Sequence, residues 1–135
     1  MNSFKLEIIT PLGIKFEKEV EYILLKTTEG NMGILPNHAP FVAGLYSDEI
    51  KIRVNKSDEI SYYISGGFLE INKEKVLIIV DEAMLPNEID LLQAKKELEF
   101  AQKKLEKLNE DKQIVMAQKS LQDALVKVRV AERLL

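Results

Sequence analysis

The sequence contains no cysteine, and its 135 residues include a single histidine, His38. Without cysteine the chain can form no disulfide bond, no thiolate metal site and no cysteine nucleophile. One histidine leaves little basis for a zinc site or for a Ser-His-Asp catalytic triad. We therefore expect a protein that is part of a larger assembly, is not an enzyme and holds no metal.

Long hydrophobic runs are also missing. The longest purely aliphatic run covers residues 76–80, far short of the ~20 residues that cross a bilayer. Residues 2–7 are strand-like and include an acidic residue, which is not typical of a signal or transit peptide. Nucleotide-binding motifs with glycine-rich loops and the H-E-x-x-H zinc motif do not occur. We expect a cytoplasmic setting without direct membrane insertion.

The charge is weakly acidic and unevenly distributed along the chain. A net charge of −3 argues against nucleic acid as a partner, because proteins that bind nucleic acid usually carry basic patches. Residues 1–86 have a net charge of −4, whereas residues 87–135 have a net charge of +1. This difference indicates an acidic body and a mildly basic tail that meet different partners.

Apolar residues in the first part recur with a period of two. The alternation covers residues 4–8 and again residues 50–54, as expected of half-buried strands. Residues 20–28 and 76–80 are more continuously apolar, which predicts strands that are covered on both sides. Turn-forming segments separate these runs, and Gly66-Gly67 predicts a bulge or a bend. We predict eight to ten short strands in a β-sandwich or flattened barrel over residues 1–86.

The period becomes helical after Pro86, and neither proline nor glycine follows. Asn87 is the predicted helix cap, and Asp90, three residues later, is predicted to complete a capping box with it. The apolar seam positions of two successive helices are Leu91, Ala94, Leu98, Ala101, Leu105 and Leu108, then Ile114, Ala117, Leu121, Ala124, Val128, Ala131 and Leu135. Residues 109–111 break the pattern. Heptad-patterned helices joined by a short turn pack antiparallel, so residues 87–135 are predicted to form a helical hairpin in an α+β protein.

The faces opposite these seams allow two interpretations. On the second helix, Val115, Val126 and Val130 share the back face with Lys119 and Arg133. This face is either an ordinary solvated surface or a docking surface for an acidic groove or helix of another protein. Burial of the apolar seam residues stabilises the hairpin by less free energy than the ordering of its residues costs. The hairpin alone should therefore be marginally stable. We expect it to be the mobile part.

No residue pattern selects a catalytic site. His38 lies between Pro36 and Pro40, and the two prolines predict a rigid loop in which the histidine makes a hydrogen bond and does not act as a titrating group. Asp81 and Glu82 follow an apolar strand, where a structural role is the simplest interpretation.

Three segments together carry a family resemblance. They are G-N-M-G-I-L-P-N-H-A-P at residues 30–40, S-G-G-F-L-E-I at residues 65–71 and D-E-A at residues 81–83. With the I-T-P-L-G turn at residues 9–13 and the hairpin opening at Ile89-Asp90, the chain resembles the epsilon subunit of bacterial F-type ATP synthases over essentially its whole length. The resemblance implies a non-catalytic rotor subunit of a proton- or sodium-translocating enzyme. Such a subunit is peripheral, at the cytoplasmic face of the bacterial plasma membrane.

The resemblance also implies partners for each part. The sandwich would bind the gamma subunit and rest on the c-subunit ring, with the loop residues Glu29, Asn31, Met32 and His38 facing the ring. Asn31 stands where the family often has an acidic residue, so a charge pair with the ring is not implied there. The hairpin would either fold onto the sandwich or extend along gamma into the catalytic head of alpha and beta subunits, where it blocks ATP hydrolysis. The basic residues implied in that contact are Lys119, Lys127, Arg129 and Arg133.

Some members of this family bind ATP through an I/L-D-x-x-R-A signature. Ile89, Asp90 and Ala94 match it, but Gln93 replaces the arginine and so removes a bidentate phosphate donor. Arg129 and Arg133 could still reach a phosphate from the second helix. We expect no resident cofactor and at most weak ATP binding. Two alternatives stay open, a nucleotide-sensing module whose hairpin closes on ATP and a free-standing adaptor or chaperone with a coiled-coil arm.

Overall fold

The computed structural model describes residues 3–107 and 111–133, without the side chains of residues 111 and 112. The chain divides into two compact units, Met1–Ala83 and Met84–Leu135. Strands build the first unit, and helices build the second.

Ten strands form one strongly curved sheet within the described residues. They are β1 (Phe4–Thr10), β2 (Gly13–Val20), β3 (Tyr22–Thr27), β4 (Gly30–Ile34), β5 (Phe41–Leu45), β6 (Asp48–Asn55), β7 (Asp58–Ile64), β8 (Gly67–Ile71), β9 (Lys75–Val80) and β10 (Ala83–Met84). The strand order is β10-β7-β6-β3-β5-β8-β9-β1-β2, and β4 pairs with β3. Strands β1 and β9 run parallel. The predicted sandwich of about ten strands is confirmed.

The core lies between the two halves of this curved sheet. Tyr62 on β7 and Phe16 on β2 meet edge to face with 5.9 Å between ring centroids, although their strands are far apart in the strand order. The hydroxyl group of Tyr62 also donates a hydrogen bond to the carbonyl oxygen of Lys15 at 3.4 Å. These contacts nearly close the sheet. The fully buried aliphatic residues inside include Leu6, Ile8, Val20, Ile23, Ile34, Ile50, Ile52, Leu69 and Ile78.

Two of the strand predictions are wrong in detail. Residues 20–28 do not form one strand, because β2 ends at Val20 and β3 begins at Tyr22. The backbone N–H of Glu21, between them, donates to the carbonyl oxygen of Arg53 on β6. Neither β3 nor β9 is covered on both sides in this chain, since Leu24 and Ile79 are exposed. The bend predicted at Gly66-Gly67 is confirmed, and it separates β7 from β8.

The second unit contains a 3-10 turn over Pro86–Glu88 and two helices, α1 (Leu91–Glu106) and α2 (Asp111–Glu132). The prediction that Asn87 caps the first helix is wrong. Asp90 is the cap, and its carboxylate accepts a hydrogen bond from the backbone N–H of Gln93 at 3.0 Å. The reason is local, because Asn87 lies within the 3-10 turn, where the side chain of Glu88 accepts from the N–H of Leu85 at 2.8 Å.

The two helices form the predicted hairpin. Its described seam alanines are buried, and the seam leucines between them are partly buried. An ion pair links Lys127, near the end of α2, to Glu97, near the start of α1, which requires an antiparallel arrangement. The predicted seam residues Leu108 and Leu135 lie outside the described residues, as do residues 109 and 110 of the predicted break.

The back face of α2 differs from both interpretations of its sequence. Val126 and Val130 are only 1% exposed, so they form neither a solvated face nor an open docking stripe. Val115, on the same predicted face, is exposed. The 3-10 turn over Pro86–Glu88 lies against α2, and the helix is therefore not covered by α1 alone.

Candidate functional site

A row of apolar side chains that solvent reaches crosses the outer face of β8, β9, β1 and β2. The strand registers pair Phe68 with Ile79, Ile79 with Ile9, and Ile9 with Ile14. Phe68 is 65% exposed and Ile79 is 46% exposed, Ile14 is exposed as well, and Ile9 is half-buried. We call Ile9, Ile14, Phe68 and Ile79 the outer apolar row.

The outer apolar row follows from strands that are apolar on both faces. Successive residues of a strand point to opposite faces of the sheet, so the fully buried Ile8, Leu69 and Ile78 belong to the inner face next to the row. Large apolar residues that are exposed singly are ordinary, whereas a contiguous apolar patch marks an interaction surface. A groove of about 430 Å³ runs along this surface, and the row's Ile9, Phe68 and Ile79 are part of its lining.

The S-G-G-F segment owes its glycines to the close approach of neighbouring strands. A Cβ atom at Gly67 would lie 2.0 Å from the carbonyl oxygen of Ile79, and one at Gly66 would lie 2.9 Å from that of Leu45. Both glycines also have positive φ angles, +150° and +95°, which side chains disfavour. The glycines therefore let β8 turn against β9 and present Phe68 on the outer face.

The D-E-A segment is hydrogen-bonded to the S-G-G-F segment. The backbone N–H of Glu82 donates to the hydroxyl oxygen of Ser65 at 2.9 Å, and the N–H of Ser65 donates to the carbonyl oxygen of Glu82 at 3.1 Å. These reciprocal bonds fix the end of β9 beside the bend that precedes β8. Two motifs that are separate in the sequence thus form one structural feature.

A cluster of charged side chains lies beside the outer apolar row. The Nζ of Lys75 is 3.1 Å from one carboxylate oxygen of Glu7, and the Nζ of Lys5 is 3.4 Å from the other and 3.4 Å from Glu17. Lys75, followed by Lys5, holds the pKa of Glu7 below its ordinary value, although burial opposes this shift. Glu17 and Glu7 raise the pKa of Lys5. Because Glu7 and Ile9 share one face of β1, a partner on the row would also meet these charges.

The residues predicted to face a ring do not share one loop. Glu29 lies in the turn between β3 and β4, whereas Asn31 and Met32 lie within β4. The prediction that these are loop residues is wrong for Asn31 and Met32, because residues 30–34 form β4 and pair with β3. Thr27 fixes the turn, since its hydroxyl oxygen accepts from the N–H of Glu29 at 3.0 Å and donates to the carbonyl oxygen of Gly30 at 2.9 Å.

His38 follows the other end of β4 from Glu29. The ring Nδ1 is 2.7 Å from the carbonyl oxygen of Ala39, so this nitrogen carries a proton and donates it in a hydrogen bond. The ring also meets Phe41 edge on, with 6.3 Å between centroids. The predicted hydrogen-bonded loop histidine is therefore present, within the lining of a cavity of about 420 Å³. The structure does not bring it to the β3–β4 turn.

The four basic residues predicted to contact a catalytic head differ in their surroundings. Lys119 and Arg129 are exposed on α2, and Arg133 is exposed directly after its end. Lys119 pairs with Asp123 one turn away. Lys127 is instead buried, with its Nζ 3.1 Å from a carboxylate oxygen of Glu97 on α1. Sequence reasoning missed Glu97. The available signal was its position one residue before a seam leucine, on the edge of the helix interface.

The residues that match the ATP signature have structural roles. The carboxylate of Asp90 caps α1, while Ala94 and Ile89 are buried. The antiparallel arrangement does place the end of α2, with Arg129 and Arg133, beside the first turns of α1. The set is thus gathered at one end of the hairpin, but its acidic member already accepts a backbone hydrogen bond.

Metal binding and membrane spanning find no support in residues 3–107 and 111–133. No group of His, Asp and Glu side chains there could hold a metal ion. In the same part of the chain, no helix combines the length and the apolar character needed to cross a bilayer.

Comparison with known proteins identifies relatives over the whole chain. The family described as ATP synthase, Delta/Epsilon chain, beta-sandwich domain matches residues 3–86, and the family described as ATP synthase, Delta/Epsilon chain, long alpha-helix domain matches residues 87–132. The chain is 50% identical over 133 residues to the sodium ion specific ATP synthase epsilon chain of Propionigenium modestum, covering 98% of this chain and 96% of the relative. It is 38% identical to the ATP synthase epsilon chain of Staphylococcus haemolyticus, covering 98% of each.

The fold is also found in a solved assembly. A chain in the cryo-EM structure of the Euglena gracilis mitochondrial ATP synthase, which shows OSCP, F1 and the c-ring in rotational state 1, matches with a TM-score of 0.78 and 25% identity. The match covers 93% of this chain and 79% of that chain.

Proposed function

The chain belongs to the family of bacterial ATP synthase epsilon chains, and on this premise we propose how its two units serve the rotor. It is a non-catalytic subunit of the central stalk in an ion-translocating, membrane-associated complex. The sandwich unit seats the subunit on the rotor by binding gamma and the c-subunit ring, and the helical hairpin restrains ATP hydrolysis in the head of alpha and beta subunits. The subunit is peripheral, at the cytoplasmic face of the plasma membrane.

The outer apolar row is the observation that carries this proposal. Ile14, Phe68 and Ile79 are exposed in the isolated chain and Ile9 is half-buried, although the sequence of β9 is that of a strand covered on both sides. A partner that packs on the row would supply the missing cover and remove apolar surface from water, which stabilises the complex. We assign this face to gamma. The neighbouring cluster of Lys5, Glu7, Glu17 and Lys75 would orient gamma through complementary charge.

Contact with the c-subunit ring is assigned to the turn between β3 and β4. Glu29 is exposed in the turn and Asn31 is exposed next to it on β4, where Asn31 pairs across the strands with Lys26. The amide of Asn31 offers hydrogen-bond donors and an acceptor but no charge. The ring contact would therefore rest on hydrogen bonds at this residue. Met32 would support the turn, and His38 would lie outside the contact.

The hairpin is assigned to the catalytic head. Lys119 and Arg129 on α2, and Arg133 directly after it, are basic residues at exposed positions, which suits contact with an acidic surface of a catalytic subunit. When bound there, the hairpin would hold gamma and that subunit in one rotational state and so block hydrolysis. The alternative, a hairpin that closes on ATP, has less support, because Asp90 is engaged as a cap and Gln93 replaces the arginine of the signature.

The binding of gamma is tested with a double variant, Phe68→Ser with Ile79→Ser. Removing two central apolar contacts should weaken the affinity for gamma by about thirtyfold or more, measured by calorimetry or surface plasmon resonance. Leu24→Ser is the matched control, since Leu24 is an exposed apolar residue on β3, outside the row. Equal affinities for the double variant and the control would refute the assignment.

The role of the hairpin is tested in the reconstituted complex with and without residues 87–135. Removal should increase ATP hydrolysis while binding of gamma is retained, because the sandwich is a compact unit of its own. An unchanged hydrolysis rate would refute inhibition by the hairpin but not the seating of the sandwich. Calorimetry of the isolated chain with ATP decides the alternative, which predicts micromolar affinity.

A further inference from the structure

We propose that the ion pair between Lys127 and Glu97 is a latch that controls how readily the two helices of the hairpin part. The inference rests on the proposed function in one respect, namely that parting of the helices matters to the hairpin's contact with the catalytic head. The latch itself is a property of the isolated chain.

The geometry of the pair is that of a partly buried bond between helices. The Nζ of Lys127 lies 3.1 Å from a carboxylate oxygen of Glu97. The side chain of Lys127 is 11% exposed and that of Glu97 is 42% exposed. Lysine is rarely so buried unless it is paired. Removal of the Glu97 carboxylate would take this countercharge away from a buried ammonium group, which is strongly unfavourable.

Elsewhere in the interface between the helices, the most common buried side chain is small. The larger seam leucines are only partly buried, and most of the buried seam positions are alanines, namely Ala94, Ala101, Ala117, Ala124 and Ala131. An alanine buries a single methyl group, and the apolar contribution to stability scales with the buried area. Because short side chains form much of this interface, an ion pair between the helices adds appreciably to what holds α2 against α1.

Two further ion pairs of the hairpin each act within a single helix. Lys103 pairs with Glu99 at 2.9 Å within α1, and Lys119 pairs with Asp123 within α2. Exposed pairs of this kind stabilise a single helix by a few tenths of a kcal/mol. They therefore support the helices but do not hold them together, and they provide matched controls for the latch.

The latch also limits the access of an external partner to Lys127. While the helices are closed, its ammonium group is bound to Glu97. Because the Lys127 side chain is 11% exposed, a carboxylate on an acidic partner surface would reach its ammonium group more readily after the helices part. Glu97 thus competes with an external partner for Lys127. This competition raises the free energy needed to part the two helices.

The test measures helix separation directly in the full chain. The sequence contains no cysteine, so Phe100→Cys on α1 and Met116→Cys on α2, both at exposed positions, accept a specific pair of spin labels. Distance distributions from pulsed electron paramagnetic resonance then report the open fraction. We expect Glu97→Gln to increase the ratio of open to closed hairpin by about tenfold to a hundredfold, the range for loss of a charged hydrogen bond.

Glu99→Gln is the matched control, because it removes the same charge two residues away and leaves the latch intact. Equal open fractions in the two variants would overturn the proposal. If Glu97→Gln instead unfolds the hairpin, the exchanged pair Glu97→Lys with Lys127→Glu decides. Recovery of the helix content and of the short distance between the two spin labels supports the latch. Failure to recover either one overturns it. Opening without any change in ATP hydrolysis would refute the proposed inhibition and leave the latch standing.

Discussion

The ring of Tyr62 meets the ring of Phe16 edge to face, with 5.9 Å between their centroids. Both side chains are buried, and the contact joins β7 to β2 across the ends of the strand order. The closure of the sheet therefore depends on side-chain packing where backbone pairing is not continuous.

Phe16→Ala should destabilise the sandwich by about 3–5 kcal/mol, because it leaves a cavity where the sheet closes. Tyr62→Phe retains the ring and removes a long hydrogen bond, so its effect should be about 0.5–1.5 kcal/mol. Urea unfolding monitored by circular dichroism measures both. A loss from Tyr62→Phe as large as that from Phe16→Ala would show that the hydroxyl group, not ring packing, closes the sheet.

Gly67→Ala should be destabilising for two separable reasons. Its φ of +150° costs a side chain about 1–3 kcal/mol, and the new Cβ would lie 2.0 Å from the carbonyl oxygen of Ile79. Gly13→Ala is the control, because Gly13 has a φ of +120° but a Cβ atom there would meet no other group within 4 Å. Thermal or urea unfolding should show a clearly larger loss for Gly67→Ala. Equal losses would mean that the close approach of β8 and β9 relaxes at little cost.

The charged cluster predicts a specific dependence of stability on pH. Lys75 lowers the pKa of Glu7 below its ordinary value of 4.5, so the folded state binds fewer protons than the unfolded state as the pH falls through this range. The stability from Glu7 is thus fully present above pH 4.5 and is lost below it. The difference in urea midpoint between the parent and Glu7→Gln should be largest near pH 7 and should shrink as the pH falls below 4.5.

Glu74→Gln is the control for this measurement, since Glu74 is exposed in the turn between β8 and β9 and lies outside the cluster. A midpoint difference between the parent and Glu7→Gln that stays constant from pH 7 to pH 3 would contradict the prediction.

The start of α1 predicts unequal effects for two neighbouring polar residues. Asp90→Ala removes a side-chain cap and should destabilise the hairpin by about 1 kcal/mol. Asn87→Ala should be nearly neutral, because Asn87 is exposed within the 3-10 turn. Helix content followed by circular dichroism during thermal unfolding compares the two. A larger loss from Asn87→Ala would indicate that the first turn begins earlier than the structure places it.

The sequence predicts well what depends on periodicity. Alternation along β1 and β6 and the heptad seams of α1 and α2 locate these elements, because burial of one face imposes its period on the residues. The motif around Gly66-Gly67 predicts a bend, since few residues other than glycine tolerate the required backbone. These features are local, and so a single sequence contains them.

Features that depend on distant strands or on partners were not predictable in this way. The apolar run at residues 76–80 predicts cover on both faces, but whether that cover comes from the same chain or from another cannot be read from one strand. Asn31 lies within β4 because a glycine-containing segment pairs with β3, although its composition is typical of a turn. Lys127 has the sequence character of a surface lysine, and its burial depends on Glu97, thirty positions earlier on the other helix.

The parallel pairing of β1 with β9 has a consequence for synthesis of the chain. Leu6 lies beside Val76 and Ile8 beside Ile78, so the earliest strand to leave the ribosome must wait for one of the latest before its inner side chains are enclosed. Contacts between residues so far apart in sequence slow folding. The inner face of β1 is therefore enclosed only once β9 has been synthesised, and the two helices, which belong to a separate unit, follow later in the chain.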